Sequence, residues 1–312
     1  MSWELVLDPS LFRLTVAMSA PLVLASCGEL VMERAGILNV AIEGMVTLGA
    51  AAAFLAGFAS GRTELALLAG AAAGAVVAAV LATYAVTWGR DQVTVGLTLY
   101  VLCLGLSSLL YRVLVGVRLT PPRVEGLPEV ALPLLSGIPV LGEILFRQHG
   151  LVYGAWAVVV VTHVFLFRTA WGLRLRSAGE NPTAADAVGI DVFGLRFAAT
   201  VAGGALIGLA GAALPLTVTG TFTEGIAGGR GWIALMLVIF GRWVPQGVLA
   251  GALLFAYVEA LQFKVALVAK AIPPQFLQML PYAFAVAALV GATRGAVAPQ
   301  ALGRPYDREA RA

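Results

Sequence analysis

Long apolar runs separated by short polar interruptions set the pattern of this 312-residue chain. An α-helix needs about 20 apolar residues to cross the hydrocarbon core of a bilayer. The runs cover 14–31, 37–59, 65–88, 93–115, 151–167, 193–218, 232–243, 248–263 and 277–290, and 232–243 is short for a full crossing. The pattern predicts an all-α, polytopic membrane helix bundle of about eight transmembrane helices, some of them discontinuous. They form a single transmembrane domain over residues 1–312.

The composition supports a membrane protein and excludes two other classes. Hydrophobic residues make up 60% of the chain and charged residues only 12%, whereas a soluble domain is about 25% charged. The 36 glycines are typical of membrane helices that pack closely. A net charge of +3 is too small for a nucleic-acid-binding surface. Cys27 and Cys103 lie inside apolar runs, and we expect both to be buried free thiols.

Polar interruptions give the expected topology. Segment 117–149 is predicted to be an extracytoplasmic loop, 168–192 a cytoplasmic loop, and 295–312 a cytoplasmic tail that is disordered beyond Arg304. With alternating spans, this arrangement places eleven of the 20 basic residues inside, a weak bias in the direction of the positive-inside rule. These eleven are Arg34, Arg90, Arg168, Arg174, Arg176, Arg196, Arg242, Arg294, Arg304, Arg308 and Arg311.

A dense polar stretch, 28–44, interrupts the apolar runs near the N-terminus. Glu29 and Glu33 are four residues apart, as are Asn39 and Glu43, so on a helix each pair would share a face. Ionisable groups at membrane depth need a partner or a water-filled cavity. One hypothesis is a discontinuous segment that lines a translocation path. The alternative is a short surface loop with its charged residues at a helix cap.

A second candidate break lies at 221–232, a glycine-rich stretch that leads into the short run 232–243. Broken helices in two parts of a transporter tend to mark the route of the solute. The alternative is an ordinary outer loop. Together the two breaks give five predicted pathway residues, namely Asn39, Glu43, Glu224, Arg230 and Trp232.

Other polar residues at membrane depth give little support for enzymatic or metal chemistry. Glu259 is a lone acid on an apolar helix, and it could pair with Lys264 or face the interior. His149 and His163 lack acidic or cysteine neighbours at ligand spacing, so we predict no metal site. The sequence has no paired aspartates at membrane depth and no hydrolase or metalloprotease motif, so we predict no catalytic residues.

The loop at 168–192 contains a short helix with clear start and stop signals. Asn181 is a good N-cap and Pro182 suits the first helical position. Gly189 suits the position after the helix, where Ile190 can make the usual apolar contact. A helix of about two turns is not stable alone, so it must dock. It either pushes on a partner protein or is a plain connection, and the loop alone does not decide between them.

Three stretches resemble signatures of one family. Residues 33–44 read ERAGILNVAIEG, 179–190 begin GENP and end GI, and 224–243 begin EGI and end GRW. In this order they resemble the permease subunits of ATP-binding-cassette (ABC) importers. The branch is the one that handles nucleosides and related small solutes with a basic-membrane-protein-type lipoprotein as receptor. Ribose-type and branched-chain-amino-acid-type permeases share its architecture.

The resemblance implies a bacterial plasma-membrane permease that forms a heterodimer with a second permease subunit. It also implies two ABC ATPase subunits inside and a solute-binding lipoprotein outside. No run matches Gly-x-x-x-x-Gly-Lys-Ser/Thr, so ATP and Mg would be bound by the partner ATPase and this chain would hold no cofactor. The family's coupling helix would comprise Arg176, Gly179, Glu180, Asn181, Pro182, Ala184, Ala185, Gly189 and Ile190. The alternative function is an ion-coupled secondary transporter that uses Glu43 or Glu259 as ion carriers.

Overall fold

The computed structural model describes residues 8–116, 120–133, 135–268, 273–292 and 297–308. Its helices are α1 (Pro9–Arg34), α2 (Ile42–Ser60), α3 (Thr63–Ala82), α4 (Gln92–Leu114), α5 (Leu141–Leu145), α6 (Gly150–Arg168), α7 (Ala170–Glu180), α8 (Pro182–Ala187), α9 (Val192–Ala213), α10 (Arg230–Phe240), α11 (Pro245–Val268) and α12 (Pro274–Ala292). Short π-helical turns, Thr83–Thr87 and Leu214–Thr219, extend α3 and α9. Strands β1 (Glu129–Ala131) and β2 (Arg147–His149) form an antiparallel pair.

The predicted all-α membrane bundle is confirmed. Within the described ranges, seven helices are long and apolar enough to cross a bilayer, namely α1, α2, α3, α4, α6, α9 and α11. The short run predicted at 232–243 corresponds to α10, which has only 11 residues. At 1.5 Å per residue it spans about 17 Å, roughly half of the hydrocarbon core. The bundle therefore contains a half-length helix among full-length ones.

Helix α1 defines the two ends of the bundle. Near its start, Arg13 pairs with Glu129 of β1 at 2.6 Å, which places the β1–β2 hairpin at that end. Its last residue, Arg34, lies against α7, because a Cβ added at Gly179 would be 2.2 Å from the Arg34 carbonyl oxygen. A 26-residue helix is about 39 Å long. Segment 120–149 and helices α7–α8 are therefore at opposite ends, here called the hairpin end and the α8 end.

Helix α1 is also fastened to α11 at the hairpin end. Asp8 caps α1 by accepting the Ser10 N–H at 2.9 Å, and Lys264 donates a hydrogen bond to the same carboxylate. These donors, Lys264 first, lower the pKa of Asp8 from its ordinary 3.8 to about 2, so the group stays charged at neutral pH. The contact also corrects one expectation, since Lys264 pairs with Asp8 and not with Glu259.

Glycine contacts bring the backbones of α3 and α9 together. A Cβ at Gly74 would lie 2.1 Å from the Gly204 carbonyl oxygen, and one at Gly208 would lie 2.2 Å from that of Gly70. Such distances mean that the two backbones touch directly, as small residues allow between membrane helices. Cys27 and Cys103 are buried free thiols, as predicted. The glycine content is thus explained by backbone packing.

The outer faces of α3, α4 and α6 carry exposed apolar side chains. At membrane depth such a surface can lie against lipid without cost. Examples are Leu68, Val76, Val101, Leu109, Val113, Val160 and Val161.

A glycine substitution tests the packing of α3 against α9. We expect Gly208→Ala to destabilise the purified protein by roughly 1–3 kcal/mol, because the new methyl group must push two backbones apart. Gly105→Ala in α4 is the matched control, since nothing lies within 4 Å of its added Cβ. Thermal unfolding in detergent micelles measures both. Equal melting temperatures for the two variants would contradict the packing described here.

Candidate functional site

The chain breaks inside the bundle between α1 and α2. Residues 35–41 are not helical, and Asn39 is fully buried. The Asn39 N–H donates to Glu29 Oε1 at 3.1 Å, and Asn39 Oδ1 accepts the Ala41 N–H at 3.1 Å. Backbone groups freed by a break at membrane depth must find such partners within the protein. The segment is therefore a buried discontinuity and not a short surface loop. That it lines a translocation path stays a prediction.

One detail of the prediction for this segment is also wrong. Asn39 and Glu43 do not share a helical face, because α2 begins only at Ile42. The side chains of Glu29 and Asn39 supply hydrogen bonds that compete with helix formation, as Asn side chains commonly do. Gly36 adopts φ +91°, a left-handed conformation that lets the chain turn back into the bundle.

Glu43 connects the break at residues 35–41 with the glycine-rich break at residues 221–232. It lies in the first turn of α2 and is only 6% exposed. Its Oε1 accepts the Gly229 N–H and its Oε2 accepts the Gly231 N–H, both at 2.7 Å. The first N–H groups of a helix have no partner within that helix and attract negative charge. The Glu43 carboxylate therefore supplies the N-terminal cap of α10 from a different helix.

The other end of α10 is held by the end of α1. Arg34 donates from Nε and Nη2 to the Trp243 carbonyl oxygen at 3.0 and 2.6 Å, and the Trp243 indole N–H donates to Glu33. Arg242 and Trp243 have φ values of +54° and +55°, which non-glycine residues rarely adopt. These contacts hold that turn in place. Glu33 and Arg34 therefore bind the turn after α10, and Glu43 binds its start.

A polar cavity of about 300 Å³ lies between α10, α11 and α12. Arg230 Nη2 donates to Glu259 Oε1 at its edge, and Tyr282 donates to the Gly228 carbonyl oxygen at 2.6 Å. Glu259 is 9% exposed, so it faces the interior, the second of its two predicted alternatives. The sequence analysis did not predict Tyr282 or the side-chain amides of Gln262 and Gln278, which also line the cavity. The signal that could have found them is a polar residue inside an apolar run.

The remaining two predicted pathway residues lie in different surroundings. Trp232 is 37% exposed, and its ring contacts Tyr100 of α4 edge-on at a centroid distance of 5.5 Å. Glu224 is exposed and accepts from Arg112 Nε and Nη2 at 3.0 and 2.8 Å near the end of α4. The structure therefore brings Glu43 to the start of α10, where Arg230 and Trp232 lie, and Asn39 bonds Glu29, Ala41 and Met45 instead. It leaves Glu224 on the surface at the hairpin end.

The predicted capping of α8 is confirmed in detail. Asn181 Oδ1 accepts the Ala184 N–H at 3.0 Å, and Pro182 is the first helical residue. At the other end Gly189 has φ +82°, and the Ile190 N–H donates to the Ala185 carbonyl oxygen at 3.1 Å. This bond from the second residue past the cap back into the last turn is typical of the Schellman motif.

Helix α7 docks α8 onto the bundle. Arg176 Nε donates to the Leu166 carbonyl oxygen at 3.0 Å, and its guanidinium lies 5.0 Å from the Phe167 ring centroid. Gly179 lies so close to Arg34 that no side chain fits there. Both contacts fix α7 against the ends of α6 and α1, which are themselves transmembrane helices.

A C-terminal strap, residues 297–308, crosses α7 and α8. The Gln300 N–H donates to Glu180 Oε2 at 3.2 Å, and the Ala301 N–H donates to the Gly179 carbonyl oxygen at 3.0 Å. These bonds fasten the strap to the last turn of α7.

The strap then reaches the first break. The Gly303 N–H donates to the Gly36 carbonyl oxygen at 3.2 Å. Beneath it Arg196 is buried, and its two Nη atoms donate at 3.2 Å to the carbonyl oxygens of Arg304 and Ala178. Arg196 therefore connects the strap with α7, a role that its position in an apolar run did not reveal.

The end of the strap lies on α8. Tyr306 is 8% exposed and packs among Ala178, Ala185 and Val192. Arg308 grips Asp186 through Nη2 at 2.5 Å and Nε at 3.1 Å. The predicted disorder beyond Arg304 is therefore wrong up to Arg308, because an aromatic ring and an ion pair anchor this part. Residues 309–312 lie outside the described ranges.

Comparisons with known proteins agree with this arrangement. Residues 12–289 match the family described as branched-chain amino acid transport system, permease component. The chain is 34% identical to a guanosine ABC transporter permease of Bacillus subtilis, over 94% of each chain. It is 36% identical to a nucleoside ABC transporter permease of Lactococcus lactis, over 92% of this chain and 93% of that one. It is 28% identical to a glucose ABC transporter permease of Haloferax volcanii, over 76% and 65%. No solved structure matches the chain.

The family match covers both internal breaks, the capped α8 and all seven long apolar helices. The chain therefore belongs to the branched-chain amino acid transport system permease family, and it is the multi-pass permease subunit of an ABC importer.

Proposed function

We propose that this permease forms the translocation pathway for nucleosides in the bacterial cell membrane. The observation that carries this proposal is the meeting of two broken segments at Glu43, which accepts N–H groups at the start of α10. Substrate sites in transporters often lie at such discontinuous helices. The choice of nucleosides is supported by the names of the Bacillus and Lactococcus relatives. Family membership favours the ABC importer over an ion-coupled secondary transporter.

The proposed pathway passes the start of α10. Glu43, Arg230 and Trp232 contribute polar groups and one partly exposed indole at this point, and Asn39 lies buried four residues before Glu43 in the chain. Hydrogen bonding and ring stacking are the interactions that a nucleobase needs. Glu224, exposed at the hairpin end, would be met first by a solute that is released by the receptor.

The proposed assembly contains this chain, a second permease subunit as a heterodimer, two ABC ATPase subunits and an extracytoplasmic solute-binding lipoprotein. The lipoprotein would dock at the hairpin end and the ATPases at the α8 end, which would be cytoplasmic. ATP and Mg would bind to the ATPases, because this sequence lacks a phosphate-binding loop.

The proposed coupling element is α8 with its supports. Arg176, Gly179 and Glu180 belong to the docking contacts of α7, whereas Asn181, Pro182, Gly189 and Ile190 shape α8 itself. Ala184 is exposed and Ala185 is buried against the bundle. Motion of the ATPases would move α8 as a unit, and the strap and α7 would carry that motion to the break at residues 35–41. Such a rigid element suits a switch between inward-open and outward-open states.

An exposed position on α8 tests ATPase coupling. We expect Ala184→Glu to lower reconstituted transport by roughly tenfold or more, because a misplaced charge at a protein interface costs several kcal/mol. Receptor-stimulated ATP hydrolysis should fall with it, while the melting temperature should not change, since Ala184 is exposed. Ala184→Ser is the size-matched control. Unchanged transport and unchanged ATPase stimulation in Ala184→Glu would refute the coupling role.

A second experiment tests transmission through the strap. Tyr306→Ala removes an aromatic ring from the contact with α8, at a local cost of roughly 2–4 kcal/mol. We expect the importer to hydrolyse more ATP per nucleoside transported, because α8 moves without moving the break at 35–41. Tyr306→Phe keeps the ring and should retain normal coupling. An unchanged ratio of hydrolysis to transport in Tyr306→Ala would assign the strap a purely structural role.

A third experiment tests the cap of α10. Glu43→Gln keeps the shape of the side chain but turns one of its two acceptors into a donor that faces an N–H group. Leaving a buried group unsatisfied costs roughly 1–3 kcal/mol. We therefore expect a loss of nucleoside transport and a lower melting temperature. Glu64→Gln is the control, because Glu64 also lies in the first turn of a helix but is exposed. Transport equal to that of the control would remove Glu43 from the pathway.

A further inference from the structure

We propose that the cavity between α10, α11 and α12 is a binding site for the base of a neutral nucleoside during its passage. This inference rests on the proposed function and names the residues that contact the solute. None of the cavity residues other than Arg230 belongs to the pathway residues that the sequence predicts. The argument has three steps, which concern the location of the cavity, its charge and its walls.

The depth of the cavity and its ion pair favour a polar content. Glu259 lies within the long apolar part of α11, Pro245–Ala266, and Arg230 lies at the start of α10 inside the bundle. A charged pair at such depth is costly next to hydrocarbon and is found facing a bundle interior or a water-filled cavity. The ion pair therefore makes the cavity itself suited to a polar solute, whereas the outer face of α12 beside it is apolar, with Phe276, Met279 and Val286 exposed.

The charge of the cavity favours an uncharged solute. Arg230 and Glu259 form an ion pair whose side chains are only 18% and 12% exposed, so their charges cancel locally. An anion or a cation would have to compete with that pair. Glu259 Oε2 is buried and has no hydrogen-bond partner within the part of the chain that the structure describes. An unsatisfied buried acceptor is costly, so this carboxylate keeps acceptor capacity beyond its pair with Arg230.

The walls of the cavity combine amides with aromatic rings. Gln262 and Gln278 each offer both donors and an acceptor, which is what the edge of a nucleobase requires. Phe255, Phe263 and Tyr282 supply flat apolar surface. A volume of about 300 Å³ is at the small end of pockets for small molecules, which suits a single nucleoside. The C–H face of a hexose can also pack on such rings, so the choice of a nucleoside over a sugar rests on the proposed function.

Position 278 gives direct access to this site in the assembled importer. Its side chain is exposed on α12, whereas the native thiols Cys27 and Cys103 are buried and should not react. We would introduce Gln278→Cys and measure the rate of labelling by a small polar thiol reagent in proteoliposomes. Saturating guanosine should slow labelling by about tenfold, because an occupied cavity excludes the reagent. Glucose at the same concentration should leave the rate unchanged.

A control variant and a transport assay separate the possible outcomes. Glu64→Cys, exposed at the hairpin end and outside the cavity lining, should be labelled at the same rate with and without guanosine. The inference is overturned if guanosine does not protect position 278, if position 278 does not react at all, or if glucose protects it equally. Guanosine uptake by the wild-type importer is measured alongside. Absence of that uptake refutes the proposed function, whereas uptake without protection refutes only this site.

Discussion

The hydrogen bonds between the Glu43 carboxylate and the first N–H groups of α10 are the contact on which the rest of the arrangement depends. A helix that starts inside a bilayer presents unpaired donors to a region without bulk water, and each would cost several kcal/mol if left unsatisfied. Glu43 satisfies two of them with one charged group. Because Glu43 stands in the first turn of α2, the same carboxylate also lies at the start of a second helix. The full-length α2 and the half-length α10 therefore begin at a single acid.

Segment 33–44 holds both ends of α10, because its other charged residues contact the turn that follows this helix. Glu33 and Arg34 hold the turn at Trp243, so α10 is fixed at one end by the close of α1 and at the other by the opening of α2. The segment between these helices therefore lies between the two contacts that hold α10. The strap binds that segment at Gly36 and binds α7 at Gly179. A contiguous set of contacts thus connects the α8 end of the bundle with the start of α10, which is the connection that an ATP-driven switch requires.

The sequence predicts those features that depend on neighbouring residues. Apolar runs place the membrane helices, and the Asn181, Pro182 and Gly189 signals place α8 correctly, because capping involves residues within one turn of each other. Contacts between distant parts of the chain could not be derived in this way. Lys264 is five residues from Glu259, yet Glu259 pairs with Arg230 on another helix. The delayed start of α2 likewise depends on Glu29, ten residues before Asn39.

The strap and the cavity also depend on contacts between residues that are distant in the sequence. Tyr306 and Arg308 lie in a tail whose composition indicates disorder, and only the surface of α8 gives them partners. Gln262 lies within an apolar run. It becomes part of a polar site only because α10 and α12 bring Arg230 and Tyr282 to the same cavity. In the proposed function, a lining without net charge would suit a route and not a store, because a solute held by a few hydrogen bonds to amide side chains and by ring contacts could leave as readily as it enters. Tight selection would then belong to the proposed receptor, and the permease would need only enough polar contacts to replace the solvation of the solute during its passage.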